Sequence, residues 1–233
     1  MWLGIDEAGR GPVVGPLVLA GVWVRRAALL RLVALGVRDS KRFGAGPGAQ
    51  RRRAALAAQI RQTASCTLVL SVDAPEVDRR VRLGELNLLE QELAAAVIAS
   101  GPPARRIVAD GERLFAPLRQ RWPQLLARDR ADAEFPVVAA ASLVAKAERD
   151  AQFAAIVAAL RPAGPPLRGG GYANAATASF LEEHVAAHGQ LPPEVRRSWD
   201  WAVLRRIDRR LAGVHPTGPG EQLTLPGAEG EDR

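Results

Sequence analysis

The residues from Pro136 to Leu160 contain no further proline and no glycine, and alanine is the most frequent residue among them. Proline is tolerated in the first turn of a helix, because the N–H that it lacks would have no partner there. The segment therefore predicts one long helix that begins at Pro136.

The other periodic segments mix strands with helices in the first part of the chain and are helical afterwards. Short apolar runs between glycine and proline residues predict strands, and longer amphipathic runs predict helices. The predicted strands are residues 2–6, 17–24, 66–72 and 106–110, and the other predicted helices are residues 49–62, 85–99, 174–188 and 193–211. This order indicates an α/β core with an appended helical region.

Beyond Leu211 the composition changes to glycine, proline and acidic residues, which is typical of a disordered segment. Together with the order of elements, this change predicts three parts. They are an α/β core over residues 1–165, a helical region over residues 166–212 and a disordered tail over residues 213–233.

Composition restricts the class of protein. A chain of 233 residues, 48% of them hydrophobic, can bury a core without disulfides, and its single cysteine, Cys66, lies in a predicted strand. No apolar stretch reaches the roughly 18 residues of a spanning helix and no secretory signal is recognisable, so we expect a soluble cytoplasmic protein. The net charge of +7 favours a polyanionic partner such as nucleic acid, although GC-rich coding bias explains it about equally well.

Asp6 and Glu7 are adjacent at the end of the first predicted strand, directly before a Gly-Arg-Gly turn. Neighbouring side chains on a strand point to opposite faces, so both acids can approach one metal ion only where the strand breaks. Gly9 and Gly11 allow this break and expose backbone N–H groups to a ligand. The alternative is an ordinary acidic turn. A dinucleotide-binding loop fits poorly, because the glycine spacing differs and a strand follows where that motif requires a helix.

Two further acids, Asp110 and Asp132, extend this candidate site. Asp110 ends a predicted strand in the same way as Asp6, so the two carboxylates are close if their strands are neighbours. Acids gathered without counter-charge repel one another, and such a cluster normally implies a bound cation. Because no histidine or cysteine stands nearby, oxygen ligands predict Mg²⁺ or Mn²⁺.

Four polar residues, Ser142, Lys146, Arg149 and Asp150, share one face of the long helix. Either this face supports the acidic cluster from beneath, or it is the solvent-exposed side of the helix. The spacing alone favours the second interpretation and leaves the first open.

Two weaker signals have ordinary explanations. His184 and His188 have a spacing that can hold a metal ion, but the glutamate of the zinc-protease motif is missing because Val185 follows His184. A solvated helix face is the favoured interpretation. The arginines at 51–53 either steer a nucleic-acid duplex or form a solvated helix end.

Several segments closely resemble those of the ribonuclease HII family in order and spacing. They are Gly4-Ile5-Asp6-Glu7-Ala8-Gly9-Arg10-Gly11-Pro12, Asp39-Ser40-Lys41, Ala139-Ala140-Ala141-Ser142-Leu143-Val144-Ala145-Lys146 with Arg149-Asp150, and Gly171-Tyr172. The resemblance covers about residues 2–206. The segment from Leu191 to Trp199 is more similar to the archaeal branch of the family than to the common bacterial one.

The resemblance implies a ribonuclease H-like mixed sheet flanked by helices, with a C-terminal helical region that binds substrate. It implies an endonuclease that hydrolyses the RNA strand of RNA/DNA hybrids and cuts 5′ to single ribonucleotides in duplex DNA. The reaction would use two metal ions and leave 5′-phosphate and 3′-hydroxyl ends. A non-catalytic protein that binds hybrids is the alternative, but such binding would improve if the acids were removed.

The resemblance also implies roles for single residues. The metal-binding carboxylates are Asp6, Glu7, Asp110 and Asp132, the loop that senses the ribose 2′-hydroxyl is Gly9, Arg10 and Gly11, Tyr172 stacks on the adjoining deoxyribose, and Lys41 contacts a phosphate. Because the 2′-hydroxyl distinguishes RNA from DNA at any base, we expect specificity for the sugar. Asp132 is preferred to Asp150 as the fourth ligand, because its neighbours match the family, and Asp150 beside Arg149 is expected to form a structural ion pair.

In the predicted tail, Gln222-Leu223-Thr224-Leu225-Pro226 resembles short peptides that dock on replication sliding clamps, although it lacks their terminal aromatic residues. A sliding clamp is therefore a candidate partner. The chain is otherwise expected to be a monomer that binds RNA/DNA hybrid and ribonucleotide-containing duplex DNA, without contact to a membrane.

Overall fold

The computed structural model describes residues 1–37, 44, 46–160 and 167–213. Its sheet has five strands in the order β3-β2-β1-β4-β5. The strands are β1 (Trp2–Ala8), β2 (Leu17–Val24), β3 (Cys66–Val72), β4 (Arg106–Asp110) and β5 (Leu125–Arg128). The first three strands are antiparallel neighbours, whereas β4 pairs in parallel with both β1 and β5. The predicted mixed sheet is confirmed.

Helices pack on both faces of this sheet. The helices in the described part of the chain are α1 (Leu29–Ala34), α2 (Pro47–Thr63), α3 (Ala74–Arg82), α4 (Leu86–Ser100), α5 (Glu112–Phe115), α6 (Ala131–Glu134), α7 (Pro136–Leu160), α8 (Ala175–His188) and α9 (Ala202–Leu211), with short 3-10 turns between some of them. No helix in these described ranges is long and apolar enough to cross a membrane.

The long helix α7 is confirmed over all of its predicted residues, and its N-terminal half is buried against β1 and β2. The helix and the sheet approach each other closely at Gly4. A Cβ atom at this position would lie 2.2 Å from the backbone oxygen of Val137, so only glycine fits there. On the opposite face, α4 packs on the apolar side chains of β1, β2 and β4. Because β2 is covered on both sides, all of its residues are buried, which explains its continuous apolar sequence.

A separate apolar cluster joins the C-terminal helices to the rest of the molecule. It contains Val13 and Val14 from the β1–β2 loop, Phe153 from α7, and buried residues of α8 and α9 such as Phe180 and Leu204. The C-terminal region therefore packs against the loop after β1.

The predicted helix over residues 193–211 is wrong in its first half, because α9 begins only at Ala202. Backbone groups of the preceding residues pair instead with the loop after β1. Gly15 N–H donates to the Glu194 carbonyl at 2.9 Å, and Arg196 N–H donates to the Val13 carbonyl at 2.8 Å. These long-range bonds replace the helical ones.

Five elements had no prediction, namely α1, α3, α5, α6 and β5. The start of α3 does carry a signal, because Asp73 caps it by accepting a hydrogen bond from Glu76 N–H at 3.0 Å. The four residues of β5 are too short to show a period, and only their pairing with β4 defines them as a strand. The predicted Asp39-Ser40-Lys41 motif and residues 214–233 of the predicted tail lie outside the described residues.

Candidate active site

Three aspartates meet at one end of the sheet. Because β1 and β4 are parallel and Ile5 pairs with Ala109, the next residues, Asp6 and Asp110, lie side by side. Asp132 joins them from α6, which follows β5 at the same edge. One carboxylate oxygen from each of the three lies within 4.8 Å of the other two. Sheet register and the turn after β5 thus bring Asp6 together with two residues that are more than a hundred positions away in sequence.

Glu7 lies beside this cluster, but its carboxylate oxygens do not come within 4.8 Å of all three aspartate oxygens. The strand continues to Ala8, so the predicted break directly after Asp6 is wrong and both acids lie inside β1. The Glu7 backbone N–H donates to Asp6 Oδ1 at 2.8 Å. The Glu7 Oε2 atom is buried and has no hydrogen-bond partner among the described residues. A buried carboxylate oxygen without a donor fits a position that a cation approaches.

The electrostatics of the cluster are those of crowded acids. Burial raises the pKa of Asp6 well above its usual value, and the charges of Glu7 and Asp110 raise it further. A hydrogen bond from Ser142 and the charge of Lys146 act in the opposite direction. Burial also raises the pKa of Glu7. Bound divalent cations would remove this repulsion, so the donor set fits a metal centre with oxygen ligands.

Asp110 is held by the backbone that precedes and begins α6. Burial and the charge of Asp132 raise the pKa of Asp110, whereas hydrogen bonds from the backbone of residues 130–132 lower it. Arg130 adopts a left-handed conformation with φ of 57° at the start of α6. This turn directs the N–H groups of the short helix toward the Asp110 carboxylate.

The polar face of α7 divides into two halves. Ser142 is buried and hydrogen-bonds to Asp6, and Lys146 Nζ lies 2.7 Å from Ser142 Oγ. This half therefore lies against the acidic cluster. The contact favours the interpretation that this face supports the acids from beneath, which the sequence spacing alone did not favour. Asp150 instead pairs with Arg53 of α2 at 2.7 Å. It forms the expected ion pair, but with Arg53 and not with Arg149.

The loop after β1 contains the Gly-Arg-Gly segment and lies next to the acids. Gly9 has a φ of 94°, and a Cβ there would lie 2.4 Å from the Pro16 carbonyl, so no other residue fits without a shift. Gly11 is exposed, and a Cβ on it would lie 3.4 Å from the Tyr172 ring. The ring itself is half exposed. These residues form an open surface of backbone and aromatic ring beside the carboxylates.

Two side chains of α4 that sequence reasoning missed hold Arg10. Its guanidinium forms an ion pair with Glu90 and donates to Asn87 Oδ1 at 2.7 Å. Glu90 is fully buried, and it occupies the same helical stripe as the buried residues Ala94 and Val97. A glutamate on the apolar stripe of a helix was the signal that could have identified it.

The other candidate residues either lie outside the described residues or are not part of this cluster. Lys41 lies outside the described residues. His184 and His188 have ring centroids 4.4 Å apart on α8, and burial lowers the pKa of His184. Within the described ranges, the three aspartates are the only set of three potential metal ligands that come together.

Comparison with known proteins identifies the family. The family model for ribonuclease HII matches residues 3–202. The chain belongs to the ribonuclease HII family. Ribonuclease HII from Thermococcus sibiricus is 34% identical over 217 residues, which cover 89% of this chain and 91% of that protein. Many further relatives are archaeal proteins of the same name, in agreement with the predicted branch.

Solved structures agree with this assignment. Ribonuclease H2 from Pyrococcus horikoshii superposes with a TM-score of 0.77 at 30% identity, covering 91% of this chain and 98% of that one. Ribonuclease HII from Archaeoglobus fulgidus, solved in a complex with PCNA, has a TM-score of 0.73 at 34% identity, with 88% and 97% covered. The chain is therefore a ribonuclease H, a divalent-metal-dependent endonuclease that cleaves the RNA strand of RNA/DNA hybrids.

Proposed function

We propose that this enzyme, in addition to cleaving hybrids, cuts duplex DNA on the 5′ side of a single ribonucleotide by two-metal-ion hydrolysis. The observation that carries the proposal is that the strand bearing Asp6 and Glu7 leads directly into the glycine loop, whose exposed Gly11 lies against the half-exposed Tyr172 ring. Such a surface can hold one sugar at the reacting phosphate without contacting a base. We expect products with 5′-phosphate and 3′-hydroxyl ends.

The residues that would hold the metal ions are Asp6, Glu7, Asp110 and Asp132. All four offer only carboxylate oxygens, which suit Mg²⁺ or Mn²⁺. When bound, the ions supply an activated water on one side of the phosphate and charge neutralisation at the leaving 3′-oxygen on the other. The buried, mutually repelling acids support this role, because burial, followed by the charge of neighbouring acids, raises the pKa values of Asp6 and Asp110.

The residues that would hold the substrate are Gly9, Arg10, Gly11, Tyr172 and Lys41. Backbone N–H groups of the glycine loop are suited to the 2′-hydroxyl, which is the group that separates ribose from deoxyribose. The flat, exposed Tyr172 ring is suited to stacking on the next sugar. Lys41 is suited to a phosphate, where positive charge gives affinity without reading sequence.

We further propose that residues 1–165 form the catalytic core and residues 166–212 the region that supports substrate binding. The packing of α8 and α9 against the loop after β1 supports this division.

We expect the enzyme to act as a monomer in the cytoplasm. We also propose a sliding clamp as partner of the segment from Gln222 to Pro226, which is supported by the clamp complex of the Archaeoglobus relative.

The deciding experiment uses an end-labelled DNA duplex with one ribonucleotide, an all-DNA duplex and an RNA/DNA hybrid of the same sequence. Each is incubated with Mg²⁺, with Mn²⁺ or with chelator, using wild type and Asp6→Asn. We expect metal-dependent cutting 5′ to the ribonucleotide, no cutting of all-DNA duplex, and loss of both activities in the variant. Cutting of hybrid alone would contradict the single-ribonucleotide proposal. Binding of all substrates without any cutting would favour a non-catalytic hybrid-binding protein.

A further inference from the structure

The peptide between Arg10 and Gly11 is held from its buried side by a residue far along the chain. Arg196 is fully buried, and its Nη1 atom donates to the Arg10 carbonyl at 3.2 Å. Its Nε atom donates to the Gly15 carbonyl at 3.0 Å, and its backbone N–H donates to the Val13 carbonyl at 2.8 Å. One residue thus anchors three carbonyl groups of the glycine loop.

The guanidinium of Arg196 is itself held in place. It lies over the Trp199 ring, with its central carbon 5.0 Å from the ring centroid. The Trp199 Nε1–H group donates to the Gly11 carbonyl at 3.1 Å. Burial, followed by the charge of Arg149, lowers the pKa of Arg196 to about 10, so the side chain remains cationic at neutral pH. The segment around Arg196 therefore forms a rigid support beneath the loop.

Fixing the Arg10 carbonyl also fixes the direction of the next N–H group. A trans peptide is planar, so its C=O and N–H bonds point in opposite directions. With the Arg10 oxygen directed at the buried guanidinium, the Gly11 N–H must point outward. Gly11 is exposed, and no acceptor among the described residues takes this N–H. The Gly11–Pro12 peptide carries no N–H at all, so the next position along the loop offers no competing donor.

We propose that Arg196 is a positioning residue for sugar recognition, which aims the Gly11 N–H at the ribose 2′-hydroxyl. This inference rests on the proposed role of the glycine loop in sensing that hydroxyl. Because Arg196 has no exposed surface, it acts only through the loop and not by touching nucleic acid. Its planar guanidinium can reach two carbonyls at fixed angles, whereas a lysine ammonium on a flexible stem cannot hold both in this way.

The test compares Arg196→Met and Arg196→Lys with a matched control, Arg197→Met. Arg197 is the adjacent residue and is exposed, so its loss removes the same charge without touching the loop. Affinities for a duplex with one ribonucleotide and for the all-DNA duplex are measured by fluorescence anisotropy with Ca²⁺ in place of the reactive ion. The ratio of the two dissociation constants reports recognition of the 2′-hydroxyl.

We expect Arg196→Met to reduce the ratio about tenfold, the effect of one misdirected hydrogen bond. Arg196→Lys should give an intermediate ratio, and Arg197→Met should match wild type. The all-DNA affinities of the two methionine variants should agree within about twofold, because each loses one positive charge. A purely structural role would weaken binding of both duplexes equally and leave the ratio unchanged.

An unchanged ratio in folded Arg196→Met overturns the inference. If circular dichroism shows that this variant does not fold, Arg196→Lys decides by the same criterion, and a wild-type ratio there overturns it as well. A wild-type enzyme that binds both duplexes equally would instead contradict the proposed function of the loop. The two failures are therefore distinguishable.

Discussion

The acidic cluster and the glycine loop lie side by side, but the fold builds them in different ways. The strand register of β1 and β4 and the turn after β5 place the aspartates. The loop lies between strands, and side chains of α4, α7 and the C-terminal segment hold its carbonyls and its arginine. Backbone pairing thus positions the proposed metal ligands, whereas long-range side-chain contacts position the proposed recognition loop. Catalysis and recognition should therefore separate under mutation.

The largest effect is expected from Asp6→Asn, which removes a central member of the acidic cluster. Losing one ligand of a metal centre costs several kcal/mol of transition-state stabilisation, so the cleavage rate should fall about a thousandfold or more. In chelator, the same change should raise the free energy of unfolding, because it removes a buried charge among like charges. Single-turnover cleavage and urea unfolding measure the two effects. A fall in both quantities would show that Asp6 is structural.

Asp132→Asn tests the outermost member of the cluster, and Asp150→Asn is its matched control. We expect Asp132→Asn to reduce the cleavage rate on the order of a hundredfold, because the ligands on β1 and β4 remain. Asp150→Asn should stay within about threefold of wild type, since its carboxylate pairs with Arg53 and lies apart from the acids. The reverse order of the two variants would assign the fourth ligand to Asp150.

Gly9→Ala tests whether the loop tolerates a side chain at position 9. The added Cβ meets the Pro16 carbonyl in a conformation with positive φ, so we expect a loss of about 2 kcal/mol in unfolding free energy. The preference for ribonucleotide-containing duplex should fall with it. Gly48→Ala is the control, because nothing surrounds that helical position and alanine should stabilise α2 by roughly 0.5–1 kcal/mol. Equal behaviour of both variants would contradict the described loop.

Tyr172→Ala should weaken substrate binding about tenfold while leaving the maximal rate nearly unchanged, because it removes the apolar contact of the ring with the sugar, on the order of 1–2 kcal/mol. Tyr172→Phe keeps the ring and should behave like wild type. KM and kcat on the single-ribonucleotide duplex distinguish these outcomes. A large loss of kcat in Tyr172→Phe would give the hydroxyl a part in the chemistry instead.

The smallest effect concerns pH. The pKa values of Asp6, Glu7 and Asp110 are raised in the folded protein, so the folded state holds more protons than the unfolded state as these groups titrate. In chelator, the contribution of these acids to stability should be fully present below about pH 4 and should be lost as pH rises through the folded-state values. Added Mg²⁺ should reverse this loss by binding the ionised acids. Chemical unfolding from pH 4 to 8 measures it, and a rise with pH in chelator would contradict the crowded-acid description.

The same contrast explains how much the sequence could predict. The central strands and α7 follow from periodicity, because their side chains face a continuous core. The sequence correctly places Asp110 at the end of a strand, whereas the closeness of Asp6 to it depends on the parallel register of β1 and β4. The side chains that support the loop could not be predicted from the sequence, because Glu90 and Arg196 act through contacts that span up to 186 residues. The segment before α9 was wrongly predicted as helical, because the backbone groups that pair with it lie near the other end of the chain.

The central claim is that catalysis and sugar recognition are built separately, and the affinity of Asp6→Asn tests it most directly. The measurement is the dissociation constant of this variant for the single-ribonucleotide duplex and for the all-DNA duplex, with Ca²⁺ present. We predict that the variant no longer cleaves but keeps the wild-type preference for the ribonucleotide, because the loop and its supports are intact. Loss of that preference together with cleavage would contradict the claim and show that the acids themselves position the sugar.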